Sequence, residues 1–138
     1  MQSEIKHMEP IHVVAAVIRH NGKILCVQRG ESKYEYVSKK WEFPGGKIEN
    51  NESDNEALVR EIEEELGMQI DIQEHLITVD HQYPDFQIIM KVYLCDTSNN
   101  EVKLSEHLNF QWLQVAELTL DWAEADKPIV AFLKESMK

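Results

Sequence analysis

Residues 53–67, SDNEALVREIEEELG, carry both ends of a helix and so constrain the fold more than any other stretch. Ser53 with Glu56 three places on forms a capping box, and Gly67 is a stop. Upstream, Pro44, Gly45 and Gly46 read as a turn that residues 47–52 extend into a polar loop. Inside the helix Ala57, Leu58, Ile62 and Leu66 recur at helical spacing as an apolar face. Glu61, Glu64 and Glu65, at i, i+3 and i+4, share another. Like charges at that spacing destabilise a helix by about 0.2–0.5 kcal/mol, and two carboxylates about 4 Å apart repel by about 4 kcal/mol at an effective dielectric of about 20. Glu63, Glu64 and Glu65 also stand at the helix end where the macrodipole favours cations. A solvated acidic face is the ordinary outcome of such a charge run. A bound cation would relieve the repulsion, and all-oxygen ligands point to Mg²⁺, with Mn²⁺ as a substitute, rather than zinc.

Spacing decides between those outcomes. Gly46, Glu52, Arg60, Glu61, Ile62, Glu64, Glu65, Gly67 and Met68 fit G-x5-E-x7-R-E-U-x-E-E-x-G-U, with U apolar, without a miss. At ordinary residue usage a chance match is on the order of one in ten million. The pattern resembles the signature of the Nudix hydrolase family. That resemblance implies an α/β/α sandwich with a mixed central sheet over nearly the whole chain. It also implies that Glu61, Glu64 and Glu65 bind cations, aided by the Gly45 carbonyl. Glu52 either reaches the metal through water or braces the loop. Arg60, i+4 from Glu64, orients glutamates by ion pairing rather than touching substrate.

Beyond the signature, the chain is similar to the MutT-type branch, which cleaves nucleoside triphosphates to a monophosphate and pyrophosphate. The run WEFPGGKIE at 41–49 is close to that branch's own sequence, Arg29 stands where the branch has a nucleotide-contacting arginine, and Tyr83-Pro84-Asp85 matches an aromatic-Pro-Asp turn. Glu106 matches an extra glutamate that serves as metal ligand or general base, a role also open to Glu61. Lys47 either meets a phosphate or is solvated. Asp126 falls where enzymes clearing oxidised guanine nucleotides present an asparagine. An ionised aspartate only accepts hydrogen bonds, which turns attention to cytidine nucleotides, whose exocyclic amine donates. Two residues before Pro128, Asp126 would equally make a helix cap. The implied substrate is thus an oxidised guanine nucleotide such as 8-oxo-dGTP, or a cytidine or other pyrimidine nucleotide. The alternatives are another nucleoside diphosphate derivative and a nucleotide sensor that does not hydrolyse. A calcium-stabilised domain lacks its D-x-D-x-D-G loop.

Composition fits a small enzyme. The 138 residues, 43% hydrophobic, suffice for one domain over 1–138 with one core, and no linker or repeat divides them. Net charge is −11, from 14 basic and 25 acidic residues with no basic stripe, which argues against a nucleic-acid polymer. A small nucleotide differs, because bound cations supply the missing positive charge. No run of eighteen apolar residues and no apolar leader occur, so a cytoplasmic protein off the membrane is expected, monomer or homodimer. Cys26 and Cys95 sit in apolar runs and read as reduced core residues. The six histidines show no ligand spacing.

Hydrophobic patterning predicts strands at 11–19 and 23–29 around an Asn21-Gly22 hairpin turn. Further strands are expected at 41–43, 70–81, 86–96 and 109–113. Pro128 opens a C-terminal helix with Ile129, Val130, Phe132 and Leu133 on its apolar face.

Overall fold

A computed structural model of the chain describes residues 9–136. The expected absence of a leader at residues 1–8, and His7, lie outside the described residues. Seven strands run β1 (Ile11–His20), β2 (Lys23–Gln28), β3 (Trp41–Glu42), β4 (Gly45–Lys47), β5 (Asp71–Gln82), β6 (Gln87–Asp96) and β7 (Asn109–Leu113). Among the described residues, two helices, α1 (Asp54–Leu66) and α2 (Lys127–Ser136), and two 3₁₀ turns, Val115–Glu117 and Glu124–Asp126, complete the elements.

One mixed sheet has the order β3-β2-β1-β6-β5, with β4 on β1 and β7 on β2. The β1–β2 hairpin turns through Asn21 (φ 53°) and Gly22 (φ 77°), the left-handed pair a type I′ turn requires. β1 runs parallel to β6 from Ile11 opposite Ile88 to Arg19 opposite Asp96, and β5 lies antiparallel to β6. Val14 through Ile18 are all buried, as a central strand covered on both faces must be. Val14, Ala16 and Ile18 pack with Ala57, Leu58, Ile62 and Leu66 of α1. Ala15 and Val17 join the other layer, with Phe43, Trp122, Ile129 and Leu133. This is the expected α/β/α arrangement.

α1 is built as its residues dictate. Ser53 Oγ accepts from the Glu56 amide at 3.1 Å, and Glu56 Oε1 accepts from the Ser53 amide at 2.9 Å. Gly67, at φ 63°, returns its N–H to the Glu63 carbonyl. No base stands in the last turn. Burying Leu58, Ile62 and Leu66 contributes about 1.5–3 kcal/mol each, which outweighs the few tenths lost per like-charge pair on the outer face.

Two readings change. The glycines at 45–46 form no turn but β4, paired antiparallel with β1 at Val14 and Ala15. A Cβ on Gly45 would lie 1.9 Å from the Val14 carbonyl oxygen, and one on Gly46 would lie 2.3 Å from the Glu61 carboxyl carbon. Close approach, not turning, is what both glycines serve. Asp126 does not cap α2: its Oδ1 accepts from the Phe43 amide at 3.0 Å instead, because the preceding 3₁₀ turn aims it into the core.

The two glycines meet different obstacles, so their alanine variants part company. Gly45→Ala collides with backbone and is expected to cost about 2 kcal/mol or more, read as a melting temperature lowered by several degrees. Gly46→Ala meets only the end of a flexible side chain and should melt within a few degrees of the parent while displacing Glu61. Equal melting temperatures for the two variants would contradict this packing.

Candidate active site

Arg60 organises the outer half of the acidic face. Its Nε and Nη2 form a fork on Glu52, at 2.5 Å to Oε2 and 3.0 Å to Oε1. Nη1 lies 3.2 Å from both Glu61 Oε2 and Glu64 Oε1, and Nη2 donates to the Lys47 carbonyl at 3.1 Å. The fork raises the guanidinium's pKa, with burial opposing it and the surrounding glutamates adding to it. It holds the Glu52 carboxyl below the usual carboxylate range. Glu52, which also accepts from the Glu49 amide, therefore braces the loop between β4 and α1.

The inner half lacks such a partner. Glu65 turns inward, its carboxyl pushed up to about 8 first by burial, then by Glu61, Glu42 and Glu106. Its Oε1 is buried and makes no hydrogen bond. Burial also raises Glu61, against the pull of Arg60. A buried carboxylate oxygen among acids needs either a proton or a cation, and Glu65 fits a hard divalent ion on that ground. The three carboxylates do not gather tightly by themselves. Among the described residues no three acidic, histidine or cysteine side chains close on one point, since Arg60 draws Glu61 and Glu64 to its own guanidinium.

A cavity of about 800 Å³ opens beside Glu65. Gly45, Lys47, Glu106, Tyr83, Asp126 and Arg29 share its wall with Glu65. Arg60 and Glu64 lie outside it, on the outer surface of α1. Tyr83 is 4% exposed, stacks on Tyr36 with centroids 5.2 Å apart, and accepts the Ala125 amide on its hydroxyl at 3.0 Å. It forms wall and fixes the neighbour of Asp126.

Asp126, expected from the sequence as an ionised acceptor, is only 5% exposed. Burial and the nearby Glu42 raise its carboxyl well above the usual range, against the Phe43 amide and Arg29. The protonated form accepts at one oxygen and donates from the other, as asparagine does. Sequence reasoning missed Glu42 and His107. Glu42 spans Arg29 Nη1 and His107 Nε2, 3.2 Å from each. A lone acid between Trp41 and Phe43 was the available signal for Glu42; for His107, otherwise taken as an ordinary histidine, it was the place next to Glu106. Cys26 and Cys95 are buried and unbonded to each other, both thiols pushed up to about 12 by burial.

The NUDIX domain family model matches residues 8–133. The chain is 34% identical over 124 residues to "CTP pyrophosphohydrolase" of Escherichia coli K12, covering 89% of this chain and 90% of that protein. It is 36% identical over 94 residues to "8-oxo-dGTP diphosphatase" of Proteus vulgaris, covering 67% and 81%. The crystal structure of MutT protein from Methanosarcina mazei Go1 superposes with a TM-score of 0.84 at 26% identity, over 96% of this chain and 99% of that one. No helix among the described residues is long and apolar enough to cross a membrane.

Glu65 makes stability depend on pH. Its folded value of about 8 lies above the ordinary 4.5, so the folded chain holds this proton more tightly than the unfolded chain does. The resulting stabilisation is complete below the ordinary value and is lost as pH rises through the folded one. In chelator-treated protein, Glu65→Gln should therefore gain in melting temperature relative to the parent between pH 5 and 9. A difference that stays flat with pH would refute a Glu65 carboxyl buried among acids.

Proposed function

Because the chain belongs to the NUDIX family, as a hydrolase of its MutT-like branch, we propose that it cleaves a nucleoside triphosphate to the monophosphate and pyrophosphate with the help of Mg²⁺, which Mn²⁺ can replace. The observation that carries this reading is the inward Glu65 carboxyl, with its unpaired oxygen, on the wall of a cavity that Asp126 also lines.

Glu61, Glu64, Glu65, Glu106 and the Gly45 carbonyl would hold the cation. When bound, it neutralises phosphate oxygens and lowers the pKa of the attacking water. The chain's own residues do the rest. Arg60 pairs with Glu61 and Glu64 and so aims them, acting through them rather than on substrate. Arg29 and Lys47, on the cavity wall, meet the phosphates. Glu61 or Glu106 takes the water's proton as the water oxygen bonds to the attacked phosphorus and the α,β-bridging P–O bond breaks, the bridging oxygen leaving with the other phosphate group. Tyr83 shapes the wall for the base.

With a proton on Oδ2, Asp126 presents one donor beside the Oδ1 acceptor, which the Phe43 amide shares. Cytosine offers an amine donor beside a ring-nitrogen acceptor, and the oxidised face of 8-oxoguanine offers an N–H beside a carbonyl. Both edges complement the acid, which supports pool sanitation directed at 8-oxo-dGTP or at a cytidine nucleotide. The substrate is a single small nucleotide, not a polymer, as the acidic surface and absence of a basic stripe favour.

The test is a panel of canonical, oxidised and methylated nucleoside triphosphates, nucleotide sugars and dinucleoside polyphosphates with Mg²⁺, products identified. Monophosphate and pyrophosphate from 8-oxo-dGTP or a cytidine nucleotide are expected; preference for a nucleotide sugar would overturn the reading. Glu64→Gln, at a side chain 61% exposed, should fold normally and lose about a hundredfold or more in kcat. Asp126→Asn keeps a donor and an acceptor, so relative kcat/KM among bases should hold within about threefold, whereas Asp126→Leu should lose about tenfold of the preference. Identical preferences in all three proteins would remove Asp126 from base recognition.

A further inference from the structure

The segment carrying Glu106 has neither helix nor strand to hold it, for residues 97–108 join β6 to β7 as irregular chain. Such a segment keeps one place only where specific bonds fix it. Before Glu106, the Lys103 amide donates to the Leu66 carbonyl at 2.9 Å and the Ser105 amide to the Glu65 carbonyl at 3.3 Å, tying the chain to the end of α1. After it, the Leu108 amide donates to the Gln28 carbonyl at 2.9 Å. Glu106 itself passes close to Gly30, where a Cβ would come within 3.3 Å of its carbonyl oxygen.

One side chain joins these anchors. The His107 side chain is 7% exposed, and its Nε2 lies 3.2 Å from Glu42 Oε2. A carboxylate only accepts, so the ring hydrogen belongs on Nε2. Nδ1 is buried without a hydrogen-bond partner, so the Glu42 bond is the polar contact the imidazole makes. Glu42 is held in turn on its other oxygen by Arg29. A ring present only to fill space would serve as well without that bond, and β3 would not need an acid between two aromatics.

We propose that His107 is a positioning residue: by donating to Glu42 it fixes the backbone at Glu106 and so sets where the Glu106 carboxylate stands relative to Glu65. Through the same Glu42, the Glu106 segment is joined mechanically to Arg29. This rests on the reading that Glu106 serves the hydrolytic centre.

His107→Leu keeps apolar bulk and removes the donor, while His107→Gln can return an amide donor near the Nε2 position. With Mg²⁺ and the preferred triphosphate, His107→Leu should lose about tenfold in kcat with KM within about twofold, and His107→Gln should recover to within about threefold of the parent. Amide hydrogen exchange at residues 105–108 should quicken in the leucine variant and return toward normal in the glutamine one. Because the effect passes through Glu106, adding His107→Leu to Glu106→Gln should cause no further loss in kcat. Full activity of Glu106→Gln alone would refute the role of Glu106 itself. Impaired Glu106→Gln with a fully active His107→Leu, or with losses that multiply in the double variant, would overturn the positioning role while sparing the hydrolase reading. Should the leucine variant fail to fold, His107→Asn, whose amide stops short at the Nδ1 position, replaces it, and equal kcat for the asparagine and glutamine variants would likewise overturn the proposal.

Discussion

The approach of β4 to β1 at Gly45 and Gly46 is the contact on which the remaining geometry depends. Gly45 sits so close to Val14 that no side chain fits between the two backbones, and Gly46 leaves only the space that the Glu61 carboxyl occupies. The glycine strand thus brings main chain and acid to the same spot. α1 is pressed there by Leu58, Ile62 and Leu66 against β1, and that burial is large enough to hold its acidic face in place despite the repulsion along it.

Electrostatics then divides the acids by what the protein supplies to balance them. Arg60 balances Glu52, Glu61 and Glu64 at the outer surface. Nothing comparable reaches Glu65 or Asp126, both on the cavity wall, and burial is the leading cause of a raised carboxyl at each. Glu42 adds to both shifts. Its bonds to Arg29 and His107 hold it where both groups feel it.

Local signals were legible before any coordinates. The Ser53–Glu56 box, the Gly67 stop, the Asn21-Gly22 hairpin and the apolar stripe of α1 all form within a few residues of themselves, so short-range spacing sufficed. β4 was read as a turn because two adjacent glycines commonly make one, whereas its pairing is decided by Val14 and Ala15, some thirty residues earlier. Asp126 looked like a cap from its neighbours, but its partner Phe43 lies 83 residues away. The Glu42–His107 contact, 65 residues apart, belongs to no short pattern. The expected convergence of three glutamates was legible as spacing, while the way Arg60 draws off two of them required the folded side chains.

The cavity wall is built from different kinds of chain. Glu65 stands on a long helix backed by the core, while Tyr83 sits at a strand-to-strand turn and Asp126 in a short 3₁₀ turn before α2. In the proposed function, hydrolysis therefore leans on the packing of α1 against β1, whereas the choice of base leans on two amide bonds, from Phe43 to Asp126 and from Ala125 to Tyr83. Chemistry and vocabulary hang on separate fasteners.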